Sequence, residues 1–89
     1  MAANRRITGD QVRMAKAALG LSNPALADQT GLHRNTINRA EKGEGRDSTF
    51  DHLRRYFEAE GVQFLESGEV AAVPGVAFHR SADAGDGAS

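Results

Sequence analysis

The stretch TGLHRNTINRAEKG, from Thr30 to Gly43, decides how this chain folds. One aliphatic residue, Ile37, stands in its middle among arginines, asparagines and a lysine. A helix with so little apolar surface can hold itself to a small core only through that anchor. The rest of its surface must face either solvent or a ligand, and the placement of the polar side chains distinguishes the two.

Five polar residues of this stretch share one side of the predicted helix. At 100° per residue, five of them fall within an arc of about 140°, and the anchor and its neighbours fall between about 200° and 340°. The first group is Arg34, Asn35, Asn38, Arg39 and Lys42, and the second is Thr36, Ile37, Ala40 and Glu41. Arginine can bond guanine and asparagine can bond adenine through paired contacts, so this segregation favours a helix that enters the major groove of DNA.

Three positions around the stretch are typical of two helices that cross closely at a short turn. Ala27 is small enough for close contact, Gly31 tolerates a positive φ in the turn, and Ile37 anchors the second helix. The pattern predicts a helix-turn-helix unit.

N-cap residues and terminal glycines predict four helices. Thr8 followed by Gln11 forms a capping-box pattern, and Ser22 and Ser48 are further N-caps, with His33 at the start of helix three. The predicted helices are Gly9 to Leu19, Asn23 to Thr30, Arg34 to Lys42 and Thr49 to Glu60.

Beyond Gly61 the apolar period changes to two. Val62 and Phe64 predict one strand, and Val76 and Phe78 predict a second, joined by a long connection from residue 66 to 75. These four residues are the expected dimerisation element, although burial on the subunit's own core explains them equally well. Residues 80–89 have no bulky apolar side chain and are predicted to be disordered.

Composition narrows the function classes. The chain has 89 residues and no cysteine, and the run from Val70 to Phe78 is too short to cross a membrane, so we expect a cytoplasmic protein without membrane contact. Up to Glu60, ten Lys/Arg oppose eight Asp/Glu, whereas one Arg opposes four acids afterwards. The slight basic excess therefore lies in the helical part.

No pattern of residues indicates an enzyme, a cofactor or a metal. His33, His52 and His79 lie on different predicted elements without metal-ligand spacing. No nucleophile triad and no glycine-rich phosphate loop is present in the sequence. At 89 residues we also expect no separate domain that senses a small-molecule effector.

The segment LGLSNPALADQTGLHRNTINRAEKGE, Leu19 to Glu44, resembles the helix-turn-helix of the phage repressor and Cro class, the xenobiotic-response-element family. The resemblance covers residues 8–60. It implies a mainly α, lambda-repressor-like fold of four helices, here followed by a short β-ribbon. It also implies a homodimer that binds double-stranded DNA with helix three in the major groove. Family members usually have Ser or Thr where His33 stands, and many have a fifth helix that the ribbon replaces here.

The expected contacts follow from the faces and from this resemblance. The family pairs a basic residue of helix one with an acidic one late in helix three, which implies pairing of Lys16 with Glu41. Base contacts are expected from Arg34, Asn35, Asn38 and Arg39. Phosphate contacts are expected from Ser22, Asn23, Thr36, Lys42 and Arg46.

The resulting expectation is a transcriptional regulator, most often a repressor, that acts as a homodimer on a partly palindromic operator. Residues 1–60 form its DNA-binding domain and residues 61–79 its β-ribbon extension. One alternative is an antitoxin or an anti-CRISPR-associated autoregulator of a small operon. Another is a protein-interaction adaptor whose C-terminal strands extend a partner's sheet.

Overall fold

The computed structural model describes residues 6–72, which form four helices and one small sheet. The predicted mainly α architecture with a short β-ribbon is confirmed. The elements are α1 (Gly9–Leu19), α2 (Asn23–Thr30), α3 (Arg34–Glu41), α4 (Asp47–Ala59), β1 (Val62–Phe64) and β2 (Val70–Ala72).

The first two helices have the predicted bounds because their capping signals are used. The Thr8 side chain accepts a hydrogen bond from the Gln11 backbone N–H, and the Gln11 side chain accepts one from the Thr8 N–H. The Ser22 hydroxyl accepts from the Ala25 N–H at 3.2 Å. Gly31 closes α2 with a φ of 78°, a left-handed conformation that costs other L-residues energy.

Helix α3 begins as predicted and ends one residue earlier. The His33 ring nitrogen Nδ1 accepts from the Asn35 N–H at 3.1 Å, so a histidine caps this helix in place of a hydroxyl. Lys42 is the C-cap rather than the last helical residue, and Gly43 follows with a φ of 83°.

The predicted start of α4 is wrong by two residues. Ser48 was expected to be the N-cap, but the helix begins at Asp47, and Arg46 is the N-cap without a side-chain hydrogen bond. The Arg46 carbonyl accepts from the N–H groups of Thr49 and Phe50 at 3.0 and 3.2 Å. These backbone bonds draw Ser48 into the first turn, where its side chain cannot cap.

The strand β1 was predicted, but its partner was not. Val62 pairs with Ala72 and Phe64 with Val70 in an antiparallel register, so the connection expected up to residue 75 is wrong. The cause is a tight turn, in which the Gly68 N–H donates to the Leu65 carbonyl at 3.0 Å. Val76, Phe78 and the tail at 80–89 lie outside the described residues.

One core joins the helices to the ribbon. Gln11 is its one buried polar side chain among residues 6–72, and its amide donates to the Leu65 and Glu69 carbonyls at 3.0 and 3.3 Å. This holds the ribbon's turn against α1. The buried apolar side chains are Ile7, Val12, Ala15, Leu26, Ile37, Ala40, Phe50, Leu53, Phe57 and Val62. Within residues 6–72, no helix has both the length and the apolar character to cross a bilayer.

Candidate functional site

The two sides of α3 differ in solvent exposure, as the angular positions of their residues around the helix predict. Ile37 and Ala40 are 0% exposed and belong to the core. The four predicted base-contact residues are all exposed on the other side, and these four define the outer face of α3: Arg34, Asn35, Asn38 and Arg39. The amide and guanidinium groups of this face are therefore accessible to a ligand.

Helix α1 holds α3 in place through a close approach of the two backbones. A Cβ atom on Gly9 would lie 2.4 Å from the Glu41 carbonyl oxygen and 2.9 Å from that of Ala40, so only glycine fits there. The Arg13 guanidinium donates to the same Glu41 carbonyl at 2.7 Å. Sequence reasoning missed Gly9, because a glycine after an N-cap gives no sign of a contact 32 positions away.

A charged pair also joins these helices. Lys16 on α1 contacts Glu41 on α3, and each side chain is only 16% exposed. The pairing that the family resemblance implied is thus confirmed. Because each charge would be costly to leave unpaired in this setting, the pair holds α3 at one rotation relative to α1.

The half-buried side chain of Asn23 extends this pair toward the outer face. Its Oδ1 accepts from Lys16 Nζ, and its Nδ2 lies 2.5 Å from the Oδ1 of Asn38 and 3.5 Å from a carboxylate oxygen of Glu41. Both ends of the Asn23 amide therefore have partners within the protein. A phosphate contact at Asn23 stays a prediction.

The other predicted phosphate-contact residues lie around the ends of α2 and α3. Ser22 is exposed at the start of α2, and Thr36 is half-buried between the two sides of α3. Lys42 and Arg46 are exposed in the segment that leads to α4. The Asn23–Asn38 contact brings the start of α2 beside the outer face of α3, so the two regions form one surface.

Most of the positively charged side chains on this surface have no acidic partner among residues 6–72. Arg39 lies 3.8 Å from Glu44, but the two side chains are 67% and 59% exposed, and such pairs contribute little. No other described residue forms an ion pair with Arg34, Lys42 or Arg46. The outer face and the following loop can therefore attract an anionic partner.

Two contacts that sequence reasoning missed support the neighbouring elements. His52 Nε2 lies 2.8 Å from the Thr30 carbonyl, which can only accept, and this ties α4 to the end of α2. Arg6 pairs with Asp47 at 2.9 Å and lies over the Phe50 ring at 4.3 Å. Across residues 6–72, no group of three His, Asp or Glu side chains is arranged to hold a metal ion.

Comparison of the chain with protein-family models, with curated proteins and with solved structures found no match. The function must therefore be proposed from the geometry and chemistry of the outer face of α3.

Proposed function

We propose that this protein is a sequence-specific DNA-binding transcriptional regulator, with a repressor as the expected form, that inserts α3 into the major groove. The observation that carries the proposal is the division of α3. Its outer face exposes two arginines and two asparagines, while Ile37 and Ala40 on the opposite side are completely buried.

The dimensions and chemistry of α3 suit this task. An α-helix with its side chains is about 10–12 Å across, which matches a major groove about 12 Å wide. Arginine donates to guanine O6 and N7, and asparagine can bond adenine N6 and N7. Since these contacts need no catalytic group or cofactor, the outer face is sufficient for recognition.

Backbone contacts would position α3 along the groove. Lys42 and Arg46 follow the helix and are free to reach phosphates, and Ser22 stands at the N-terminus of α2, where backbone N–H groups favour an anion. Each neutralised phosphate releases counterions, so affinity should fall steeply as salt rises.

A homodimer is part of the proposal, because a partly palindromic operator requires two copies of α3. Two-fold symmetry would place the recognition helices about 34 Å apart on one side of the duplex. Val62 is only 3% exposed in the single subunit, whereas Phe64 is half-buried. An interface built on the ribbon would therefore use Phe64 more than Val62.

The test is selection of bound sites from a random duplex pool with the purified protein. We expect a partly palindromic motif whose half-site spacing reports the dimer geometry. Arg34→Ala and Asn35→Ala should each relax preference at one position by about 1–3 kcal/mol. Lys42→Ala should weaken all duplexes about equally, since phosphates carry no sequence.

Arg55→Ala is the matched control, because it removes an exposed cation from α4, far along the chain from the outer face. It should leave the selected motif unchanged. Selection of no motif, or an Arg34→Ala variant with unaltered preference, would contradict the groove assignment. Failure to retain any duplex at low salt would favour the adaptor alternative.

A further inference from the structure

Four polar side chains from three helices form one continuous hydrogen-bonded chain that ends on the outer face of α3. They are Lys16 on α1, Asn23 on α2, and Asn38 and Glu41 on α3. The two charged members have fixed polarity, because an ammonium group only donates hydrogen bonds and a carboxylate only accepts them. The two asparagines could in principle face either way.

Lys16 and Glu41 together determine which way the Asn23 amide faces. Its oxygen lies against the ammonium group, and its NH2 group lies on the side of the carboxylate. The opposite orientation would place a donor against Lys16 and an acceptor against Glu41. The Asn23 NH2 group lies 3.5 Å from Oε1 of Glu41, whose side chain is only 16% exposed, so little water is at hand to compensate an acceptor in that place.

The orientation of the Asn23 amide in turn determines the orientation of the Asn38 amide. Asn23 Nδ2 is a donor, so the atom of Asn38 that lies 2.5 Å from it must be the oxygen. The Asn38 NH2 group has no hydrogen-bond partner among residues 6–72, and the side chain is exposed. Asn38 therefore turns its acceptor inward and its donor outward.

We propose that the Lys16–Glu41 pair, acting through Asn23, makes Asn38 a specificity-determining donor in the major groove. This inference rests on the proposed function. The outward NH2 group selects a base edge rich in acceptors, and guanine, with N7 and O6, meets that demand best. Paired contacts to adenine need the oxygen as well, and that oxygen is turned toward α2.

The test reverses the polarity while keeping the charge of the cluster. In the double variant Asn23→Asp with Glu41→Gln, the carboxylate at position 23 accepts from Lys16 and from the Asn38 NH2 group. Asn38 then presents its oxygen to the groove. In site selection, one position should change from guanine to a base with a major-groove donor, cytosine or adenine, by about three- to tenfold.

Asn38→Asp is the second variant, and it leaves the other three members of the cluster intact. Its side chain can still accept from Asn23 but has no donor, so the guanine preference at the same position should be lost. Circular dichroism shows whether the double variant folds. If it does not, Asn38→Asp alone tests the donor role of Asn38. Positions read by Arg34 and Asn35 should stay unchanged in both variants.

The outcomes separate the two proposals. A wild-type motif that neither variant alters would overturn the role of Asn38 and leave the proposed function standing. Absence of any motif for the wild-type protein would overturn both.

Discussion

The two sides of α3 belong to the same eight-residue helix, yet they depend on different interactions. The inner side contains Ile37 and Ala40, both completely buried, and the Glu41 backbone, which lies against Gly9 of α1. Among residues 6–72, the side chains of the outer face form no hydrogen bond or ion pair other than the Asn38 bond and the exposed Arg39 pair. The inner side therefore determines where the helix lies, and the outer face is left exposed for the contacts that we propose with DNA bases.

The two ion pairs of α3 show the same division. Lys16 and Glu41 are each 16% exposed, whereas Arg39 and Glu44 are 67% and 59% exposed. Removing one partner of a shielded pair leaves an uncompensated charge, while an exposed pair is already screened by water. An ion pair thus joins two helices on one side of α3, whereas on the other side the charged groups stay exposed and can serve the recognition that we propose.

Loss of the anchor should have the largest effect. We expect Ile37→Ala to lower the free energy of unfolding by about 4 kcal/mol, because it opens a cavity in a small core. Asn35→Ala on the outer face is the control and should change stability by less than about 0.5 kcal/mol. Urea unfolding followed by circular dichroism measures both, and equal losses would show that the two sides do not differ.

A methyl group at the α1–α3 contact should cost almost as much. Gly9→Ala should destabilise by about 3 kcal/mol, since the Glu41 carbonyl cannot accommodate an atom 2.4 Å away and the helices must separate. Gly20→Ala is the matched control, with open space around it and a φ of 68°, and should cost about 1 kcal/mol. If the two variants unfolded at the same urea concentration, the close approach would be disproved.

Comparison of the two ion pairs should give a smaller difference. Lys16→Met should lower the free energy of unfolding by about 2 kcal/mol, less than for a fully buried pair because some solvent reaches both side chains. Arg39→Met, the same exchange on the outer face, should cost under about 0.5 kcal/mol. Thermal unfolding at low and high salt checks this, and a larger loss for Arg39→Met would reverse the assignment.

The cap of α3 should contribute least, although both sides of the helix depend on it. His33→Ala removes the acceptor for the Asn35 N–H and should cost about 1 kcal/mol. Ser48→Ala should change stability by less than about 0.5 kcal/mol, because Ser48 is not the N-cap of α4. Chemical denaturation of the two variants side by side tests the histidine cap, and a larger cost for Ser48→Ala would show that the predicted serine cap exists after all.

Local chemistry was predictable wherever the signal and its partner are close in sequence. The capping box at Thr8, the cap at Ser22 and the left-handed turn at Gly31 act over three or four residues, so α1 and α2 have the predicted bounds. The same reasoning failed at Ser48 and at the turn around Gly68, where competing backbone hydrogen bonds were available.

The division of α3 was determined by the sequence alone, because helical periodicity places Ile37 opposite Asn35 and Arg39 whatever surrounds the helix. The tertiary structure alone decided that Gly9 must be a glycine and that the Asn38 oxygen accepts a hydrogen bond from Asn23. Both depend on side chains and backbone from different helices meeting in space. Neither the hydrophobic periodicity nor the capping residues of the sequence predict distances between atoms of different helices. These distances are set only when the core brings α1, α2 and α3 together.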